Sequence, residues 1–265
     1  MTLFILENKP LSDVEKLAFS PSGQTLAAAH RRHGIFVWDL ADRKSKPAST
    51  TVRAFGQFQF LEEKLLVWRD FQRFVLFDTR RGQVVRQSLR SVDLAYQFGA
   101  FVNPTVFICS LTKGYQHEQQ TRSDHGVTQC RQRNPRGALD LLWEQNTGTL
   151  TSKCAFLLAD GQTLLTIEGR SYPQQIFRYV WRRLLDGAEL RHLETTILQP
   201  RELALCEPWL VSNCSRHLQI IDLNNFVAEP IILKNDSRRE FTSCQVHPSG
   251  KFIAATNNDQ TVKCW

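Results

Sequence analysis

The chain has 265 residues, 42% of them apolar, and its 33 basic against 26 acidic side chains leave a net charge of +7. That composition excludes a disordered chain, and the lack of any run of 18 apolar residues excludes a membrane-spanning helix. The charge permits an anionic partner without demanding one, because no block of like charge is as dense as a nucleic-acid-binding tail.

At the start, Met1 to Leu6 is apolar but has neither a basic flank nor a small-residue cleavage site, so a secretory signal is not expected. Seventeen Phe and six Trp against one Met favour strands over helices. The first clear element pair is Val14 to Phe19 and Thr25 to Ala29, joined by the turn Ser20-Pro21-Ser22-Gly23. The same arrangement returns at Cys154 to Ile167 around Leu158-Ala159-Asp160-Gly161, and at Phe241 to Thr256 around His247-Pro248-Ser249-Gly250. The closing glycines lie 138 and 89 residues apart, near three and two periods of about 45. A second column ends alternating runs: Trp38-Asp39, Phe77-Asp78, Trp143-Glu144, Trp181-Arg182 and Ile221-Asp222, with Trp265 where a sixth pair would begin. Successive gaps are 39, 66, 38, 40 and 44, and a polar insertion fills the long one. Six units follow, with first strands near 14, 56, 94, 153, 201 and 241. Tyr179 to Leu190, the best helical candidate, reads equally well as strand, turn and strand. Short strands at this period predict an all-β fold, a β-propeller of four-stranded antiparallel blades, six in number.

Seven cysteines stand at 109, 130, 154, 206, 214, 244 and 264. Their odd count and the absence of Cys-x-x-Cys argue against a disulfide framework and against zinc modules, so buried free thiols in a reducing compartment are expected.

Phe241 to Trp265, FTSCQVHPSGKFIAATNNDQTVKCW, resembles the WD-repeat (WD40) β-propeller family in its order of strand, small-residue turn, strand, Asp turn, strand and Trp. Val14 to Leu40, ending Val37-Trp38-Asp39-Leu40, is similar to it as well. The resemblance implies that Asp259 is a structural Asp between second and third strands. Arg32 holds that position in the first unit, and no Gly-His dipeptide precedes any first strand, so the repeats are divergent. Residues 1–265 are expected to form a single propeller with a polar insertion at 112–137. Thr2 to Glu7 would supply the outer strand of the last blade and remove an open edge. A seven-bladed parent, truncated at Trp265, is the alternative.

In the resembled family, partners often dock on the turns between second and third strands. Here those segments are 30–33, 69–73, 112–137, 168–175, 212–217 and 257–260, and their basic minus acidic residues total +6. Candidate partner-binding residues are Arg31, Arg32, Arg69, Phe71, Arg73, Lys113, Arg122, Arg131, Arg133, Arg136, Arg170, Tyr172 and Arg216. His117, His125 and Cys130 share the insertion, but spacings of 8 and 5 match no zinc module. No Gly-x-Ser-x-Gly elbow, His-Glu-x-x-His or phosphate-cradling loop exists. The expectation is a non-catalytic, cytoplasmic interaction scaffold with no metal or cofactor, no membrane and no small-molecule substrate. Its partner is another protein with an acidic surface. Nucleic acid or another polyanion on the same basic turns is the alternative, and a propeller hydrolase is a weaker one.

Overall fold

Every regular element among the described residues of the computed structural model is a strand. The structure describes residues 14–30, 34–41, 45–49, 55–70, 73–87, 96–113, 125–135, 138–148, 150–170, 176–195, 202–214, 216–226, 228–235, 240–257 and 262–265. They fall into two compact units, residues 1–90 with 200–265, and residues 91–199.

The first unit holds four sheets. Blade one is β1 (Val14–Phe19), β2 (Thr25–His30), β3 (Gly34–Asp39) and β4 (Ser45–Ser49). Blade two is β5 (Phe55–Glu62), β6 (Leu65–Asp70), β7 (Arg73–Asp78) and β8 (Gln83–Gln87). The second unit holds blade three, with β9 (Tyr96–Phe101), β10 (Val106–Lys113), β11 (His125–Arg133) and β12 (Leu139–Gly148). Blade four, beside it, is β13 (Thr151–Leu157), β14 (Thr163–Arg170), β15 (Ile176–Arg183) and β16 (Glu189–Thr195). Blade five returns to the first unit with β17 (Glu202–Cys206), β18 (Trp209–Asn213), β19 (His217–Asp222) and β20 (Ile231–Lys234). Blade six has three described strands, β21 (Phe241–Val246), β22 (Ile253–Asn257) and β23 (Val262–Cys264). Within each sheet, chain neighbours pair in order, and all first strands begin within two residues of the expected starts. Thr2 to Glu7, expected as the outer strand of blade six, lies outside the described residues, as do Arg32 and Asp259.

The core lies between blades. Strand β2, Thr-Leu-Ala-Ala-Ala-His, is buried over its last five residues because sheets cover both its faces. Leu26 and Ala28 pack with Ala254 and Val262 of blade six, while Ala27 and Ala29 pack with Phe58 and Leu66 of blade two. Alternation thus assigns successive side chains to opposite neighbours. The alanines let the sheets approach, and the bulky residues face them. Each fully buried leucine contributes about 2 kcal/mol. The same logic joins blades three and four through Ile108, Cys130, Trp143, Ala155 and Leu164.

Polar contacts repeat from blade to blade. The first strand is an inner edge, so its outward amides need partners from a neighbour. Ser243 Oγ accepts from Leu17 N at 3.3 Å in the first unit, and Ser110 Oγ accepts from Ser152 N at 3.0 Å in the second. In the first unit the first-to-second-strand turns also interlock. Cys206 Sγ lies 3.2 Å from Pro248 O, His247 Nε2 lies 3.1 Å from Gly23 O, and Ser22 Oγ donates to Glu63 Oε1 at 2.6 Å. Blades five, six, one and two are therefore tied in series by the turns whose sequence announced the repeat.

One part of the repeat is corrected. Trp143, placed by its pattern at the end of a third strand, stands on the fourth strand β12, opposite Cys130 of β11. The segment 112–137 is accordingly not one long turn: β10 runs through Lys113, and β11 occupies His125–Arg133. The reading failed because β11, His-Gly-Val-Thr-Gln-Cys-Arg-Gln-Arg, is polar yet largely buried. Its polar groups are satisfied: Thr128 Oγ1 meets Ser152 Oγ at 2.7 Å, and Gln129 Nε2 donates to Glu144 Oε2 at 2.7 Å.

Candidate functional site

The candidate site is the end of each blade where the second strand turns into the third. Antiparallel pairing fixes which residues reach it. In the first unit the terminal pairs are His30 with Gly34, Asp70 with Arg73, Asn213 with Leu218 and Thr256 with Val262. In the second unit they are Lys113 with His125 and Arg170 with Ile176.

Of the thirteen candidate residues, five stand at or beside these ends. Arg69 is the last residue but one of β6, Arg73 opens β7, and Arg216 lies in the turn after β18. Lys113 ends β10 and Arg170 ends β14. Arg216 is exposed. Its amide donates to Cys214 O at 2.9 Å, and its carbonyl accepts from Asn235 N at 3.3 Å, so the backbone there is pinned while the side chain faces water. Arg31, Arg32, Phe71, Arg122, Arg136 and Tyr172 lie outside the described residues.

Arg131 and Arg133 are not brought to this end. Strand β11 carries them to its far terminus, where Arg131 pairs with Phe107 and Arg133 N donates to Thr105 O at 2.7 Å. Arg131 is also committed locally, its Nε donating to Gln129 Oε1 at 2.9 Å and its Nη1 to Leu139 O at 3.1 Å. Between Lys113 and Asp124 the two cations are matched by Glu118 and Asp124. The insertion's contribution to the turn charge therefore falls from +3 to 0, and the total from +6 to +3. His125 opens β11, five residues before the buried Cys130.

Several residues near this end were missed by reading the turns alone. Lys16 of β1 and Glu202 of β17 form an ion pair at 2.8 Å, and Glu202 Oε2 also accepts from Cys244 N of β21 at 3.1 Å. One carboxylate thus links the first strands of blades one, five and six. Nearby, Asn213 Nδ2 donates to Phe241 O at 3.2 Å. Asn235 Nδ2 donates to Asn257 Oδ1 at 2.8 Å, and Lys263 Nζ donates to Asn235 Oδ1 at 3.2 Å. These contacts hold the platform beneath the turns. The sequence signal was a charged residue in a largely apolar first strand, Lys16 in β1 and Glu202 opening β17, although nothing in the sequence pairs the two.

All seven cysteines are free thiols, with Cys109, Cys130, Cys244 and Cys264 buried. Burial pushes Cys109 and Cys130 up to about 12, which removes them from nucleophilic chemistry at neutral pH. No helix among the described residues is long and apolar enough to cross a membrane.

Residues 233–265 match the family described as WD domain, G-beta repeat. The chain is similar in structure to the β-propeller domain of Myceliophteria thermophila Cps50 (Swd1), with a TM-score of 0.67, 12% identity, and coverage of 100% of this chain and 98% of that one. It is also similar to a chain of a Mitotic Checkpoint Complex structure, with a TM-score of 0.64, 11% identity, and coverage of 100% and 95%. No curated protein matches the chain. The fold is therefore a β-propeller with six blade sheets, and the segment that matches the WD-domain model forms its last blade.

Proposed function

We propose that the chain is a non-catalytic interaction scaffold, a single propeller domain whose partner docks on the turns between second and third strands. The observation that carries the reading is the recurrence of a basic residue at equivalent strand ends. These are Arg69 and Arg73 in blade two, Lys113 in blade three, Arg170 in blade four and Arg216 beside β18 in blade five. Rigid strand pairs hold these positions, which suits a surface that recognises charge on another molecule. A partner with an acidic surface fits that charge. The similar chain in a Mitotic Checkpoint Complex structure lends support, since that chain is part of a complex. Seven cysteines, none of them in a disulfide, fit a reducing, cytoplasmic setting.

Affinity capture with the whole chain tests this. The wild type is compared with two charge-reversed forms, Arg69→Glu/Arg73→Glu/Arg216→Glu and Lys113→Glu/Arg170→Glu. A protein retained by the wild type and lost from either form supports the proposal. Retention of nucleic acid, removed by nuclease and by modest salt, would favour the polyanion reading instead. Equal capture by all three forms would overturn both.

A further inference from the structure

The outer strand of a blade has one unpaired backbone edge, and folded proteins normally blunt such edges with charged side chains, above all lysine, with proline, with short length or with bulges. Four of the five fourth strands among the described residues follow that rule. Strand β4 has five residues with Lys46 and Pro47, β8 has five with Arg86, β16 has seven with Arg191, and β20 has four with Lys234. Strand β12 follows it least, with only two bulges and two acidic residues to guard its edge. It has ten residues, no proline and no basic residue, and its two charges are the exposed Asp140 and Glu144.

The same strand exposes apolar side chains. Leu141 is 50% and Leu142 44% exposed. Leu142 is the extra residue of a bulge between the pairs Cys130–Trp143 and Arg131–Leu141, which turns it outward. Between this bulge and a second one at Thr147, Trp143 to Asn146 pair with β11 without interruption, so the outer backbone edge of these four residues is straight. Blade four adds a third leucine. Trp143 Nε1 donates to Leu184 O at 2.7 Å and Gln145 Nε2 to Asp186 O at 3.5 Å, which fixes the β15–β16 turn beside β12 and leaves Leu185 81% exposed.

We infer that the edge of β12 takes up an extended peptide segment of a partner, one that alternates apolar with lysine or arginine side chains. The backbone edge selects an extended strand. Leu141, Leu142 and Leu185 select apolar side chains, and Asp140 and Glu144 select basic ones. A second copy pairing through its own β12 would set like charges against each other. This surface is separate from the second-to-third-strand turns and calls for the opposite charge, so its fate is independent of the docking reading above.

The test is fluorescence anisotropy on the whole chain with a capped peptide of alternating lysine and valine. Three comparisons accompany it: the same peptide N-methylated at alternate residues, an alternating glutamate–valine peptide, and the variant Leu141→Lys/Leu142→Lys. Saturable binding by the lysine–valine peptide, at least tenfold weaker in each comparison, supports the inference. Equal binding of the N-methylated peptide, or by the double-lysine variant, overturns it. A further variant, Asp140→Lys/Glu144→Lys, is expected to reverse the preference toward the glutamate–valine peptide, a gain that misfolding cannot imitate. An unreversed preference contradicts the inference. So does a concentration-dependent dimer that Leu141→Lys/Leu142→Lys abolishes, because a second copy would then occupy the edge.

Discussion

His247 of blade six reaches across to Gly23 of blade one, its Nε2 lying 3.1 Å from the Gly23 carbonyl oxygen. Ser249 N donates to His247 Nδ1 at 3.1 Å, which makes Nδ1 the acceptor and leaves the ring proton on Nε2 for Gly23. Phe19 and Phe252 pack edge-on against the same ring, with centroids 5.2 and 5.6 Å away. Gly23 is needed twice over: its φ is +73°, and a Cβ would come within 2.0 Å of His247 Nε2. Gly161 occupies the equivalent turn of blade four with φ +66° but has open space around it. Gly161→Ala should therefore cost about 1 kcal/mol, from the backbone alone. Gly23→Ala should cost clearly more, as should His247→Ala, at about 2–3 kcal/mol from a lost hydrogen bond and two ring contacts. Urea unfolding of the three variants gives the ranking. Equal losses for the two glycine variants would contradict the cross-blade contact.

Blade four holds a buried ion pair where other blades have a surface turn cap. Asp39, Asp78 and Asp222 each follow the aromatic or aliphatic column residue and accept from a backbone amide of the next turn. In blade four that position is Arg182, and Asp186 takes over the turn, accepting from Ala188 N at 3.0 Å. Arg182 points inward to Glu168 at 2.8 Å, with the two side chains 5% and 0% exposed. Removing one partner leaves a buried charge, so Glu168→Gln or Arg182→Met should each cost about 3–5 kcal/mol. The double change Glu168→Gln/Arg182→Met should cost less than the two single losses added together. A double-mutant cycle in urea measures this, and additive losses would refute the pairing.

Two exposed turn carboxylates should give acid sensitivity. The Thr163 hydroxyl and the Gln162 and Thr163 amides hold Asp160 below its ordinary range. For Glu63, desolvation works upward, but hydrogen bonds from the Ser22 and Ser20 hydroxyls and the Ser22 amide outweigh it and hold the carboxyl low. A folded-state value below the unfolded one stabilises the fold above the unfolded value, and that stabilisation is lost as pH falls through the folded value. Asp160→Asn and Glu63→Gln should therefore lower Tm at neutral pH, with the gap to wild type closing as pH falls through the folded-state values, below the ordinary carboxylate range. A gap that persists there would count against these hydrogen bonds.

Thiol labelling should follow burial. Cys109 and Cys130, pushed up to about 12, and Cys264, pushed up to about 11, should resist alkylation at about pH 8 in the native chain and react on unfolding. The half-buried Cys154, Cys206 and Cys214 should react first. Peptide mapping after a timed pulse of iodoacetamide reads the order, and early labelling of Cys130 would argue against its place between blades three and four.

The parts of the fold legible in the sequence were those where local chemistry and tertiary contact agree. The glycine turns after Phe19, Leu157 and Val246 announced hairpins, because Gly23, Gly161 and Gly250 all need positive φ. Trp38 and Trp181 marked third strands, because alternation there ends in a large residue packed between blades. Blade three was misread because its third strand hides polar residues such as Thr128 and Gln129 in hydrogen bonds across the sheet, while its fourth strand shows leucines to water. A hydropathy pattern reports burial only when polar groups stay outside. The candidate site suffered from the same error, since Arg131 and Arg133 belong to β11 and leave the turn end. The Lys16–Glu202 pair was out of reach, because 186 residues separate its members along the chain.

The most direct test of the scaffold reading is lysine cross-linking and mass spectrometry on the complex captured with the whole chain. Lys113 ends a second strand, and Lys153 and Lys263 lie in β13 and β23 toward the same end of their blades. Lys64 and Lys251 lie in first-to-second-strand turns at the opposite end. Partner cross-links concentrated on Lys113, Lys153 and Lys263 are the predicted result. Cross-links confined to Lys64 and Lys251 would contradict docking on the basic turns.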